Sequence, residues 1–182
     1  IWQYFHTTDD ADFIEKYGAE MFFEICRFWA SKAQFDETTG KYSIKNVMGP
    51  DEFHEMYPAA EEGGLTDNAY TNIMVSWMFA RVPDLLSKMD AESKKAVFEK
   101  IVLTESEVEH WNEIHKKLRL VISDEGIISQ YDGYFNLEEL DWDYYREKYG
   151  NIYRMDRLLK AEGKSADDYK VAKQADTLMT FY

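Results

Sequence analysis

The hexapeptide Gly49-Pro50-Asp51-Glu52-Phe53-His54 sets two carboxylic acids and an imidazole side by side, side-chain types that move protons in catalysis. Pro50 cannot continue a helix and fixes its own φ, while Gly49 admits backbone geometry that other residues resist. The stretch therefore reads as a turn that lifts Asp51 and Glu52 out of regular structure, with Phe53 placed to anchor it on a core. Loops mounted in this way on rigid scaffolds are common seats of catalytic groups. Taken alone, Gly-Pro-Asp-Glu is a surface turn with solvated acids; the surrounding pattern decides between the two readings. A second polar run, Asp67-Asn68-Ala69-Tyr70-Thr71-Asn72, follows closely.

The elements that must hold these loops read as helices. Residues 1–7 are the tail of one, ended by Thr8-Asp9-Asp10, and Asp9 with Asp12 offers an N-cap and an acidic first turn for the next. That helix spans about 11–34, with Phe13, Tyr17, Met21, Ile25, Phe28 and Trp29 at three- and four-residue steps. Gly18 inside it costs roughly 1 kcal/mol against Ala and implies close packing there. Residues 35–48 predict a short strand or hairpin that delivers the chain to Gly49. Residues 55–66 are irregular. Thr66 or Asp67 caps a helix over 69–81 with Tyr70, Ile73, Met74, Trp77 and Met78 on its apolar face and Pro83 as its terminator. Further helices cover 90–101 and, opened by a capping box at Thr104-Glu105-Ser106-Glu107, run on to about 120. Residues 121–137 are strand or loop, and Asp141-Trp142-Asp143 is a packed Trp between solvated neighbours. The last helices cover 152–162 and 166–181, the latter opened by Ser165 and Asp168, with Lys173-Gln174 on it. Long helices, few strands and no Pro/Ser linker make residues 1–182 one all-α domain built from helical hairpins. The chain opens mid-helix without a Met and is expected to be a piece of a longer protein.

Composition narrows the partners. Lys+Arg 21 against Asp+Glu 35 leaves a net charge of −14, a field that repels nucleic acid and anionic membrane. A neutral saccharide is indifferent to it, whereas an anionic co-substrate needs a local basic pocket that the sequence does not display. The 16% aromatic content suits sugar rings, although most of these residues are expected in the core. The lone Cys26 cannot form an internal disulfide. No apolar run reaches the length of about 18 residues needed to span a membrane. His110 and His115 are five apart, off metal-ligand spacing, so no metal is expected.

Beyond these patterns the chain resembles glycoside hydrolase family 65, whose members include maltose, trehalose and kojibiose phosphorylases. The resemblance rests on Gly49-Pro50-Asp51-Glu52-Phe53-His54, on Asn68-Ala69-Tyr70-Thr71-Asn72, on Gly18-Ala19-Glu20 with Arg27-Phe28-Trp29, and on Lys173-Gln174-Ala175-Asp176, in family order. It implies a fragment of an (α/α)6 barrel, about half of it present. It implies inverting cleavage of an α-glucosidic bond, with Glu52 as general acid and with Lys173 and Gln174 binding glucosyl hydroxyls. Asp51, His54, Asn68 and Asn72 then order the loop, and Arg27 supports the site by pairing with a loop carboxylate. The substrate is an α-linked disaccharide or oligosaccharide, with no cofactor and inorganic phosphate as co-substrate. Hydrolysis with a base outside the chain stays open, as does a non-catalytic carbohydrate-binding or scaffolding role. A cytoplasmic location and a homodimer of the parent protein complete the expectation. A working Glu52 needs a pKa well above the ~4.3 of a free Glu, which Asp51 and burial against Phe53 would supply.

Overall fold

The computed structural model describes residues 1–181, and the chain forms two compact units. Unit 1 holds residues 1–43 and 74–118, unit 2 residues 44–73 and 119–182. The fold is mostly helical with one small two-stranded sheet, so the all-α expectation needs that addition.

Unit 1 begins with α1 (Trp2–Thr8), closed by Asp9 in the left-handed region at φ 52°. The cap of the next helix is Asp10 rather than Asp9: its side chain accepts from the Phe13 N–H at 2.9 Å. The long helix forms in three stretches, α2 (Ala11–Phe13), a π turn (Ile14–Gly18) and α3 (Ala19–Lys32). A Cβ at Gly18 would crowd the tip of the Ile14 side chain and the Phe13 ring, so the packing is close where the helix widens. Strands β1 (Ala33–Asp36) and β2 (Lys41–Ile44) form the expected hairpin. After α5 (Val82–Lys88), α6 (Ala91–Ile101) and α7 (Glu105–Lys117) complete the unit, with the capping box at Thr104 and Glu107 present. Pro83 opens α5 in its first turn instead of ending the helix before it, a place where its missing N–H costs nothing. The core is a stack of Phe23, Trp111 and Phe79, with Cys26 and Ile114 also buried. Burial pushes the Cys26 thiol far up, which leaves it inert.

Helix α4 (Ala69–Ala80) leaves unit 2 and enters unit 1. Its buried face is only in part the expected apolar one: Met78 is buried and Tyr70 and Ile73 are half-buried, but polar residues take other inward places. Asn68, Thr71, Asn72, Val75 and Phe79 are buried, whereas Met74 and Trp77 are exposed. The polar residues can go inside because each has partners there. Asn68, not Thr66 or Asp67, caps α4, its side-chain oxygen accepting from the Thr71 N–H at 3.0 Å.

Unit 2 carries two small apolar clusters. One is Leu140, Tyr145, Met155, Leu159 and Val171, and the other is Leu65, Tyr131 and Leu137. The first is built by α8 (Trp142–Tyr149) and α9 (Met155–Ala161). Helix α8 was not expected. Asp141 caps it by accepting from the Tyr144 N–H at 3.0 Å, and Trp142 lies exposed beside Arg146 rather than packed. Glu162, past the end of α9, accepts from the hydroxyls of Tyr144, Tyr145 and Tyr149 and from Lys148, which ties the two helices together.

The expected last helix over 166–181 does not form. A 3-10 turn at Ala166–Asp168 and another at Asp176–Thr180 flank a non-helical stretch. Glu138 and Tyr169 form a parallel bridge, the Lys170 N–H donates to the Glu138 carbonyl, and the Lys173 and Gln174 N–H groups donate to Asp51. Tertiary acceptors have taken the donors that a helix would use. Among the described residues no helix is long and apolar enough to cross a membrane.

Candidate active site

The turn at Gly49-Pro50 delivers the acid loop between the two clusters of unit 2, and its aromatic and imidazole side chains fasten it to both. Phe53 packs on the Met155–Leu159 cluster. The buried His54 ring lies 5.4 Å from Tyr131 and 5.5 Å from Tyr134. Its Nδ1 sits 2.9 Å from Asp51 Oδ2 and its Nε2 is 3.0 Å from the Tyr169 carbonyl. One residue thus links the loop to the segment that leads to Lys173.

Asp51 is the hub. It is 3% exposed and accepts from the Phe53 N–H, His54 Nδ1, Gln130 Nε2 at 2.8 Å, the Lys173 N–H at 2.9 Å and the Gln174 N–H. Burial pushes its pKa up, but the bonds from His54, Gln130 and the backbone outweigh it and hold the carboxyl below the usual range.

Glu52 points the other way. Its side chain is 61% exposed, with Lys173 Nζ 2.5 Å from Oε2 and Gln174 Nε2 2.8 Å from Oε1. The Gln174 amide closes a ring by accepting from the Glu52 N–H at 3.1 Å. Hydrogen bonds from Lys173 and Gln174, together with the Lys173 charge, hold Glu52 below the usual glutamate range, and Arg154 adds to the effect. This reverses the expected upward shift. Asp51 spends its charge on its own donors, and Phe53 is committed to the cluster rather than to covering Glu52.

Of the remaining expected residues, Asn68 is in the site and Asn72 is not. The Asn68 amide donates to Asp176 Oδ2 at 3.1 Å, while its oxygen caps α4. Asn72, one turn on, donates to Asp67 and to the Arg119 carbonyl, in a separate network where Arg119 also bridges Asp67 and Asp132. Arg27 pairs with Glu107 at 2.8 Å and Glu24 at 2.7 Å, carboxylates on helices rather than on a loop. Gln130 and Asp176 carry no role in the sequence reading. The only signals for them were their places in Gln130-Tyr131-Asp132-Gly133 and in Lys173-Gln174-Ala175-Asp176. Among the described residues no cluster of His, Cys, Asp and Glu could hold a metal ion.

The site is therefore an exposed carboxyl gripped by an ammonium and an amide, on a loop whose backbone is fixed by a buried aspartate. The whole chain, residues 1–182, matches the family model described as the glycosyl hydrolase family 65 central catalytic domain. The chain belongs to that family. It is 44% identical over 182 residues to a trehalose 6-phosphate phosphorylase of Lactococcus lactis, covering 100% of this chain and 22% of the relative. It is 43% identical over 181 residues to an uncharacterized glycosyl hydrolase of Mycobacterium tuberculosis, covering 100% and 14%. A solved structure described as a kojibiose phosphorylase from the human microbiome superposes with a TM-score of 0.74 at 26% identity, over 98% of this chain and 23% of that one. The chain thus spans less than a quarter of the length of each of these relatives.

Proposed function

We propose that this site belongs to an enzyme that phosphorolyses an α-linked glucoside with inversion, yielding glucose 1-phosphate, with Glu52 as the general acid. The observation that carries the reading is the convergence of Lys173 and Gln174 on the Glu52 carboxyl across 121 and 122 positions of sequence. Inverting cleavage needs an acid at the leaving oxygen and a nucleophile on the opposite face of the sugar. With phosphate as that nucleophile, the protein supplies no base. Glu52 protonates the glycosidic oxygen as the C–O bond breaks, and a phosphate oxygen bonds to the anomeric carbon.

The downward-held Glu52 fits this scheme through substrate binding. A glucosyl unit whose hydroxyls engage the Lys173 ammonium and the Gln174 amide draws both away from Glu52. That removes the two leading causes of its low pKa and favours the protonated acid at the moment it is required. Relatives named for kojibiose and for 1,2-alpha-glucosylglycerol support an α-glucosyl substrate and a disaccharide-sized ligand. The family resemblance supports reading this chain as about half of an (α/α)6 barrel. The mycobacterial relative's description as a glycosyl hydrolase favours hydrolysis as the second reading.

The test is to assay the full-length protein on kojibiose, trehalose and trehalose 6-phosphate with and without phosphate. Phosphate-dependent release of glucose 1-phosphate is expected; phosphate-independent release of glucose supports hydrolysis. Glu52→Gln keeps a hydrogen bond but no transferable proton, and should lower kcat by about 10²–10⁴-fold. Retention of most turnover would remove Glu52 from its role.

A further inference from the structure

Two buried carboxyl groups sit beneath the acid loop, and their surroundings differ sharply. Asp51 receives donors from three separate segments of the chain. Asp176 is 1% exposed, and its Oδ2 accepts from the Asn68 amide. Its Oδ1 is buried without a hydrogen-bond partner among the described residues. The same carboxyl lies tight against the turn: a Cβ at Gly49 would run into Asp176 Oδ2 and the Asn68 amide nitrogen. An ionised carboxylate with so few donors, next to a second negative charge, is costly to bury, and a proton on it removes most of that cost.

We propose that Asp176 is a positioning residue of the acid loop, acting as an uncharged carboxylic acid that seats Gly49 and Asn68 and so fixes the loop carrying Glu52. The titratable groups facing it are Asp51 and His54. Burial first, and then the Asp51 charge, raise its proton affinity against the opposing Asn68 bond, the Asp51 backbone N–H and the His54 ring. The two aspartates thus move in opposite directions: the proton affinity of the one well supplied with donors is lowered, and that of the poorly served one is raised. Because Asp176 follows Gln174 by two positions, it anchors the sugar-binding pair and the acid loop at a single point. This role rests on the general-acid reading of Glu52.

The proposal is tested in the full-length protein with Asp176→Asn, Asp176→Ala and Gly49→Ala. Asn is neutral and of the same shape, so Asp176→Asn should keep near-wild-type kcat. Asp176→Ala and Gly49→Ala should lower kcat by about 10- to 100-fold with far-UV circular dichroism unchanged. Infrared difference spectra between wild type and Asp176→Asn at neutral pH should show the carbonyl band of a protonated carboxyl in the wild type. If Asp176→Ala does not fold, Gly49→Ala and the infrared band still decide. Asp176→Asn as impaired as Asp176→Ala, or no protonated-carboxyl band, would overturn the assignment. Full turnover in Glu52→Gln would sink the general-acid reading alone, since the infrared result judges Asp176 without reference to turnover.

Discussion

At the scale of single residues, the candidate site gathers carboxyls whose proton affinities are shifted by their neighbours. Lys173 is the leading cause of the low Glu52 pKa, so its removal has a signed consequence. Followed by NMR of its side-chain carboxyl carbon, Glu52 should titrate below the ordinary glutamate range in the free protein. In Lys173→Met the midpoint should move up, and an α-glucoside added to the wild type should move it the same way. A midpoint indifferent to both changes would break the proposed exchange of partners. The buried pair has opposite effects on stability. Asp51 is held low in the folded state, so its contribution is present above the unfolded carboxylate range and is lost as pH falls. Asp176 is held high, so its contribution is present at low pH and is lost as pH rises through its folded value. Asp176→Asn should therefore remove the loss on the rising side, seen as a flatter denaturation midpoint against pH, while Asp51→Asn should flatten the acid side.

At the scale of elements, the segment 169–175 exists as it does because Asp51 reaches it from far along the chain. Asp51→Asn replaces an acceptor with a donor that faces other donors, leaving several buried N–H groups unmatched. Urea unfolding should register a loss of about 3 kcal/mol or more. A change under about 1 kcal/mol would mean that the segment is held by something else. This segment also marks how far the sequence could be read. Ser165, Asp168 and the spacing after them are helix signals, and nothing local reveals that the Lys173 and Gln174 N–H groups are claimed by a residue more than 120 positions away. The face of α4 escaped for a related reason. Periodicity ranks Met74 and Trp77 as core, yet Asn68 and Asn72 are buried because Asp176 and the Arg119 carbonyl, from distant segments, and Asp67, just ahead of the helix, accept from their amides. Local signals fared better where the physics is local: the capping box at Thr104 and the hairpin after Lys32 formed as expected. That Lys173 and Gln174 meet Glu52 was legible through their motifs; the buried contacts of Gln130 and Asp176, which are purely tertiary, were not.

At the scale of the molecule, unit 1 carries an apolar stripe turned to solvent. Tyr17, Met21, Ile25 and Phe28 recur at helical spacing and are 63%, 49%, 38% and 53% exposed, on the face of the long helix opposite Phe22, Phe23 and Cys26. Four large apolar side chains in a row form a contiguous patch of the kind that drives association when left uncovered. A net charge of −14 opposes close approach, but its reach is only about 10 Å at 0.1 M salt, so added salt weakens that barrier. The isolated 182-residue chain should therefore self-associate in sedimentation velocity, more strongly as salt rises. Met21→Lys with Phe28→Lys interrupts the stripe at exposed positions and should return the chain to a monomer with an unchanged far-UV spectrum. The same chain should show no glucose 1-phosphate release on α-linked disaccharides, since it spans less than a quarter of the relatives named as phosphorylases. A clean monomer with full turnover would mean that these 182 residues suffice for catalysis and that the stripe needs no partner.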